Sequence, residues 1–121
     1  MPALAIDHVQ IAIPAGGEAD GRRFFGDLLG LEELPKPADM AGRGGCWFAV
    51  GGQQLHLGVE AGFRAAKKAH VAFATDALDA MRERLGAAGF ETREDVPVDG
   101  RRRFFTFDPF GNRIEIMEAR S

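Results

Sequence analysis

The stretch FFTFDPFGNRIEI, residues 104–116, predicts two strands joined by a turn. Aromatic residues dominate its first part, and the central DPFGN, residues 108–112, is rich in turn formers. In its last part, Glu115 lies between Ile114 and Ile116. A carboxylate within an apolar strand either faces solvent or is paired when it is buried. Glu115 is therefore a candidate functional residue.

Each half of the chain predicts a strand, an amphipathic helix and then further strands. Strands are predicted over 4–13, 46–50, 53–59, 69–74, 103–107 and 113–117, with a weaker extended segment over 90–96; helices are predicted over 18–29 and from Thr75 or Asp76 to Gly89. Residues 35–45 are expected to form an irregular loop, and the Arg101–Arg103 run a solvated turn. We therefore expect one α+β domain over residues 1–121, with two βαβββ modules over about 4–59 and about 68–118 that split near residues 60–67.

The repeat places polar residues at equivalent strand positions. His8 is answered by His70, 62 positions later, and His56 by Glu115, 59 positions later. Trp47 is answered by Phe104 at an offset of 57. The three histidines are the only ones in the chain. Their symmetry singles out His8, His56, His70 and Glu115 as a candidate site.

Imidazole nitrogen and carboxylate oxygen are the ligands that hold Zn, Ni, Fe, Mn or Co. Two histidines and one carboxylate leave coordination positions open for water or substrate. Taken alone, each of the four residues would more often be a hydrogen-bonded or solvent-facing strand residue. The repeat symmetry favours the metal site, and no local Ser-His-Asp, Cys-His or phosphate-loop pattern competes with it.

Composition narrows the classes of function. The 121 residues are 45% hydrophobic and 27% charged, with a net charge of −3, so nucleic acid is an unexpected partner. Cys46 cannot form an intramolecular disulfide and is expected to be a small buried hydrophobe. No signal peptide or membrane span is visible, which favours a cytoplasmic protein without a membrane partner.

The chain resembles the vicinal oxygen chelate superfamily, which includes glyoxalase I, fosfomycin and bleomycin resistance proteins, methylmalonyl-CoA epimerase and extradiol dioxygenases. The resemblance covers about residues 4–118, and its most specific part is the motif aromatic-x-x-Asp-Pro-x-Gly-Asn-x-Ile-Glu. The matching stretches are DHVQI at 7–11, FFGDLLGL at 24–31, QLHL at 54–57 and FFTFDPFGNRIEI at 104–116.

The resemblance implies a cupped, mixed eight-stranded sheet around a divalent metal, formed by two modules that pair across a homodimer. By position, His8, His56, His70 and Glu115 match the family's ligand positions. Glyoxalase I typically has glutamate where this chain has His56. Extradiol dioxygenases use two histidines and one carboxylate with an acid–base histidine nearby, and His8, His70, Glu115 and His56 match that pattern as well.

We therefore expect a metal-dependent, glyoxalase- or dioxygenase-like enzyme, a lyase, isomerase or dioxygenase, that acts on a small oxygen-chelating substrate. His56 is expected to be a fourth ligand or a catalytic acid–base residue. The alternative is a non-catalytic protein of the same fold that sequesters a small molecule against Trp47 and the phenylalanines.

Overall fold

The computed structural model describes residues 2–120, which divide into two compact units. Module one ends at Arg64 and module two begins at Ala65, inside the stretch that separates the two sequence repeats. Each module is a four-stranded mixed sheet with helices, which confirms the α+β class and the two βαβββ modules. Their joining into one eight-stranded sheet, within a chain or across a dimer, stays a prediction.

Module one places its first strand beside its last. The elements are β1 (His8–Ile13), α1 (Glu18–Gly21), a π-helix (Arg22–Leu28), β2 (Glu32–Leu34), a 3₁₀-helix (Ala38–Arg43), β3 (Cys46–Val50) and β4 (Gln53–Val59). The sheet order is β1-β4-β3-β2, with β1 parallel to β4 and the other pairs antiparallel. Side chains at paired positions of β1 and β4 therefore lie next to each other on the same face of the sheet.

Module two repeats this topology. Its elements are β5 (Val71–Thr75), α2 (Leu78–Ala87), β6 (Arg93–Val98), β7 (Arg101–Phe107) and β8 (Arg113–Glu118). The sheet order is β5-β8-β7-β6, again with the first strand parallel to the last. The equivalent order explains why residues from distant parts of each repeat meet on adjacent strands.

The core of each module lies between its sheet and its helical segment. In module one, adjacent Phe24 and Phe25 are both fully buried, and the Phe25 ring lies 6.3 Å from that of Phe48. The predicted helix over 18–29 therefore exists, but its larger part is a π-helix, which the i, i+4 pattern did not predict. Cys46 is 1% exposed, and burial raises the pKa of its thiol to about 11, so it is the expected buried hydrophobe.

The first strand is shorter than predicted. It begins at His8 rather than at residue 4, and Leu4 and Ile6 are 99% and 62% exposed. The register pairs His8 with Gln54, and β4 starts at Gln53, so the backbone pairing ends with the hydrogen bond from the N–H of Gln54 to the carbonyl oxygen of Asp7.

The prediction that Arg101–Arg103 forms a solvated turn is wrong, because these residues begin strand β7. The turn lies at Asp99-Gly100, where both residues have positive φ. Carboxylates pair with two of the three arginines on the strand: Arg102 lies 2.8 Å from Asp79, and Arg103 lies 3.5 Å from Asp95. The predicted start of α2 is also shifted, because Ala77 is its N-cap.

Candidate functional site

Three aromatic rings stack on the sheet of module one. His8 opens β1 and His56 lies in the middle of β4, and their ring centroids are 4.2 Å apart at an interplanar angle of 14°. Trp47 of β3 covers the His56 ring at 4.0 Å and 3°. His56 is therefore held between two rings, and only 5% of its surface is exposed.

Hydrogen bonds orient the two imidazoles of this stack. His8 Nδ1 lies 2.9 Å from a carboxylate oxygen of Asp7, which leaves Nε2 of His8 for a ligand. His56 Nε2 lies 2.8 Å from Gln54 Oε1. Burial, followed by the neighbouring charge of His8, lowers the pKa of His56, so its imidazole is neutral at pH 7.

The second pair lies in module two and joins an imidazole to a carboxylate. His70 immediately precedes β5, and its Nε2 lies 2.9 Å from Oε1 of Glu115 on β8. The other ring nitrogen, Nδ1, is 3.0 Å from the carbonyl oxygen of Lys68. Two donors that bind one metal ion at about 2.0–2.2 Å lie roughly 3 Å apart, so the geometry and chemistry of this pair fit a divalent metal.

Arg103 contacts Glu115 and Arg113 contacts the ring opposite it, that of Phe105, and the sequence interpretation did not assign either arginine to a site. Arg103 Nη1 lies 3.3 Å from Glu115 Oε2, while its Nε donates to the carbonyl oxygen of Val96 at 2.9 Å. The guanidinium of Arg113 lies 4.0 Å from the centroid of the Phe105 ring. Strand alternation would have indicated these positions, because residues 103, 105, 113 and 115 share one face of the β7–β8 pair.

The turn between β7 and β8 is held by the side chain of Asp108. Its Oδ1 accepts the backbone N–H groups of Phe110 at 2.9 Å and Asn112 at 2.8 Å, and its Oδ2 accepts the Asn112 side-chain amide at 2.8 Å. Asp108 is 4% exposed, and burial raises its pKa against the opposing effect of these hydrogen bonds. The DPFGN motif thus positions Glu115 by fixing the start of β8.

The structure brings the four predicted residues together as two pairs, His8 with His56 and His70 with Glu115. Within residues 2–120, no group of three or more His, Cys, Asp or Glu side chains is arranged to hold a metal ion. The stacked rings of His8 and His56 cannot share one ion in these orientations. A metal ion lies in the plane of an imidazole that binds it, and these two planes are nearly parallel.

Residues 5–116 match the model of the Glyoxalase/Bleomycin resistance protein/Dioxygenase superfamily. The chain belongs to this superfamily. A structure of a protein assigned to the glyoxalase family, from Bacillus anthracis, is 45% identical, with 99% of this chain and 98% of that chain covered at a TM-score of 0.93. No protein of curated function matches the sequence.

More distant structures of the superfamily share the fold. Lactoylglutathione lyase from Agrobacterium tumefaciens is 21% identical, with 98% of this chain and 96% of that chain covered at a TM-score of 0.75. A glyoxalase/dioxygenase from Nostoc punctiforme is 22% identical, with 100% and 99% covered at a TM-score of 0.77. The predicted resemblance to the vicinal oxygen chelate superfamily is confirmed, whereas the roles of the four residues stay predictions.

Module one also contains a cavity of about 170 Å³ beside the stack of His8, His56 and Trp47. Its walls include Gln10 of β1, Trp47 of β3, and Lys36, Met40 and Arg43 from the segment between β2 and β3.

In the described part of the chain, no helix has the length and apolar character to cross a membrane.

Proposed function

We propose that the protein is a metal-dependent enzyme of the superfamily, acting on a small substrate that chelates the metal through two oxygens. The observation that carries the proposal is the contact of His70 with the buried carboxylate of Glu115, 2.9 Å apart and beside Arg103. A buried carboxylate needs compensation, and this one has an imidazole and a guanidinium. The pair thus offers two donor atoms of types that bind metal ions, at a separation that suits one shared ion.

The proposed ligands are His70 and Glu115 of module two and His8 of module one. Asp7 supports His8 as a ligand because it holds Nδ1 and orients the free Nε2, as carboxylates do for metal-bound histidines. A bound divalent ion would supply Lewis acidity that polarises the two substrate oxygens.

We place His56 outside the ligand set, as the acid–base residue. The stack with His8 disfavours a shared ion, and the lowered pKa keeps the imidazole neutral and able to accept a proton near pH 7. Trp47 and Gln54 fix the orientation of the ring. Of the two roles that the sequence left open for His56, the geometry favours this one.

A non-catalytic binding protein is the second candidate function. The observation that favours it is the cavity beside Trp47, which is large enough for a small aromatic molecule. Such a protein would bind its ligand without a metal and would not transform it. The two candidates therefore differ in metal dependence as well as in turnover.

Elemental analysis tests the proposed function first. Protein purified without chelator is reloaded with Mn, Fe, Co, Ni or Zn and then assayed with hemithioacetal, catechol and CoA-ester substrates. We expect one divalent ion bound per chain, and turnover that is lost after chelation. Failure of every ion to bind stoichiometrically would remove the enzyme proposal and favour the binding protein.

We also propose that the protein is a homodimer. The first strands β1 and β5 are edge strands of their sheets, and exposed apolar side chains lie before and within β1: Leu4, Ile6 and Val9, the last 39% exposed. A second copy would cover these edges and apolar groups. Light scattering at micromolar concentration should give twice the chain mass of 13.1 kDa, and a particle of that single-chain mass would contradict the dimer.

A further inference from the structure

We infer that the cavity of module one binds a small aromatic carboxylate, with the ring near Trp47 and the carboxylate between Lys36 and Arg43. This inference deepens the proposed function and rests on it, because it assigns the chemical class of the substrate to an anion with an apolar body. The size, the charge and the rigidity of the cavity support this ligand class.

The size of the cavity fits one aromatic ring with a short substituent. Its volume is about 170 Å³, and a cavity of about 150 Å³ holds benzene. Trp47 and Met40 supply an aromatic and a thioether surface, both of which favour contact with a ring.

The charge of the cavity fits an anion. Lys36 and Arg43 line it together with the neutral amide of Gln10, and the carboxylate of Glu18, which lies behind Gly44 of the wall, accepts the N–H of Gly45. No salt bridge engages Lys36 or Arg43 in residues 2–120. Lys36 donates one hydrogen bond to the carbonyl oxygen of Gly44, and an ammonium group has three donors. Both cations can therefore contribute charge-assisted hydrogen bonds to a carboxylate.

The segment that carries these cations is fixed to the sheet. The N–H of Gly45 donates to Oε2 of Glu18 at 2.9 Å, which is the main reason that the pKa of Glu18 is lowered. Gly45 has a φ of +79°, and a Cβ there would overlap the carbonyl oxygen of Leu57 on β4. The backbone therefore lies directly against the strand, so the cavity is formed before any ligand binds.

The cavity adjoins the proposed acid–base residue through one shared side chain. Trp47 lines the cavity and also stacks on His56. At Gly58, also in the wall, a Cβ would lie 2.6 Å from Nε2 of Gln10, so the glycine makes room for that amide. A ring bound in the cavity would thus extend from the ring stack towards Lys36 and Arg43.

Fluorescence of Trp47, the only tryptophan in the chain, reports directly on occupancy. The probes are benzoate and its neutral analogue benzamide, titrated into chelator-treated and zinc-loaded protein. We expect benzoate to change the fluorescence and to bind at least tenfold more tightly than benzamide, because only benzoate carries the charge. Equal affinities, or no fluorescence change with either probe, would overturn the inference.

Variants locate the binding site. Lys36→Met and Arg43→Gln should each weaken benzoate binding about tenfold, the loss of one charge-assisted hydrogen bond. The matched control is Arg23→Gln, since Arg23 is an exposed arginine that pairs with Asp20 away from the cavity. If Arg23→Gln weakens binding as much as the cavity variants do, the attraction is a general charge effect and the inference is wrong.

A second comparison separates this inference from the proposed function. Glu115→Gln should weaken zinc binding and leave benzoate binding unchanged in chelator-treated protein. Benzoate binding that is seen only in zinc-loaded wild-type protein would place the carboxylate at the metal and overturn the cavity assignment. If the protein binds zinc but binds benzoate and benzamide equally well, the cavity inference is wrong and the proposed metal function stands. If it prefers benzoate but binds no zinc, the proposed metal function is wrong and the cavity assignment stands.

Discussion

The two modules place different chemistry on equivalent strands. In module one, His56 on the last strand is enclosed by the rings of His8 and Trp47, and burial keeps it neutral. In module two, Glu115 at the equivalent position contacts His70 and Arg103, which supply hydrogen bonds and positive charge. The same backbone register thus supports a buried imidazole suited to proton transfer in module one and an imidazole–carboxylate pair suited to a metal ion in module two.

The central hairpins of the two modules also differ, in what stabilises their turns. The β3–β4 hairpin turns at Gly51-Gly52, where Gly51 has a φ of +57° and open space around its Cβ position. The β7–β8 hairpin depends on a buried carboxylate with three hydrogen bonds from residues of its own turn. One turn uses backbone freedom, and the other uses side-chain hydrogen bonds.

The largest expected effect on stability is that of Asp108→Ala. The substitution leaves the Phe110 and Asn112 donors without their acceptor, so the free energy of unfolding should fall by about 3 kcal/mol. The matched change in module one, Gly51→Ala, should cost only about 1 kcal/mol, the strain of a positive φ. Urea denaturation of both variants measures the two losses. Equal losses would show that the buried carboxylate contributes no more than the glycine turn.

The next effect is on turnover. His56→Ala should lower kcat by about a hundredfold, because the proposed proton acceptor is lost, while bound metal is retained. His56→Gln keeps a hydrogen-bonding side chain and should be equally slow, since it cannot exchange a proton near neutral pH. The assay uses the substrate that the panel identifies. Activity near that of the wild type in His56→Gln would assign this residue to positioning alone.

The smallest effect is on the pH dependence of stability. The pKa of His56 is lowered in the folded protein, so below the unfolded value of about 6.5 the unfolded chain takes up the proton more readily. Stability should therefore be greatest above that pH and should decline as pH falls through it towards the lower folded pKa. Urea midpoints at several pH values, with His56→Gln as the control, measure this decline. An unchanged slope in the control would assign the decline to other groups.

The positions of the four residues could be predicted because sheet structure has a period of two and the chain repeats. The interval between His56 and Glu115 matches the observed equivalence, since each lies opposite an aromatic residue of the neighbouring strand. On the neighbouring strand, the sequence comparison of the two repeats was wrong by one residue. The register pairs Trp47 with His56 and Phe105 with Glu115, so Trp47 corresponds to Phe105 rather than to Phe104.

What lies around these residues could not be predicted, because it depends on side-chain directions and on pairing across strands. Sequence spacing does not distinguish stacked rings, as in His8 and His56, from two rings that converge on one point. The role of Arg103 was missed because a run of three arginines is usually solvated, whereas Arg102 and Arg103 pair with carboxylates on neighbouring elements. Pairing with β4 also decides where β1 begins, and the residues near position 4 do not indicate that start by themselves.

Metal titration of Glu115→Ala beside His56→Ala tests the central claim most directly, because it compares the equivalent positions of the two modules. The account predicts that Glu115→Ala lowers zinc affinity by at least about a hundredfold, since the remaining ligands cannot complete the coordination shell. His56→Ala should bind zinc with wild-type affinity. Comparable losses in both variants would contradict the account and establish His56 as a fourth ligand, and unchanged affinity in Glu115→Ala would remove the metal from module two.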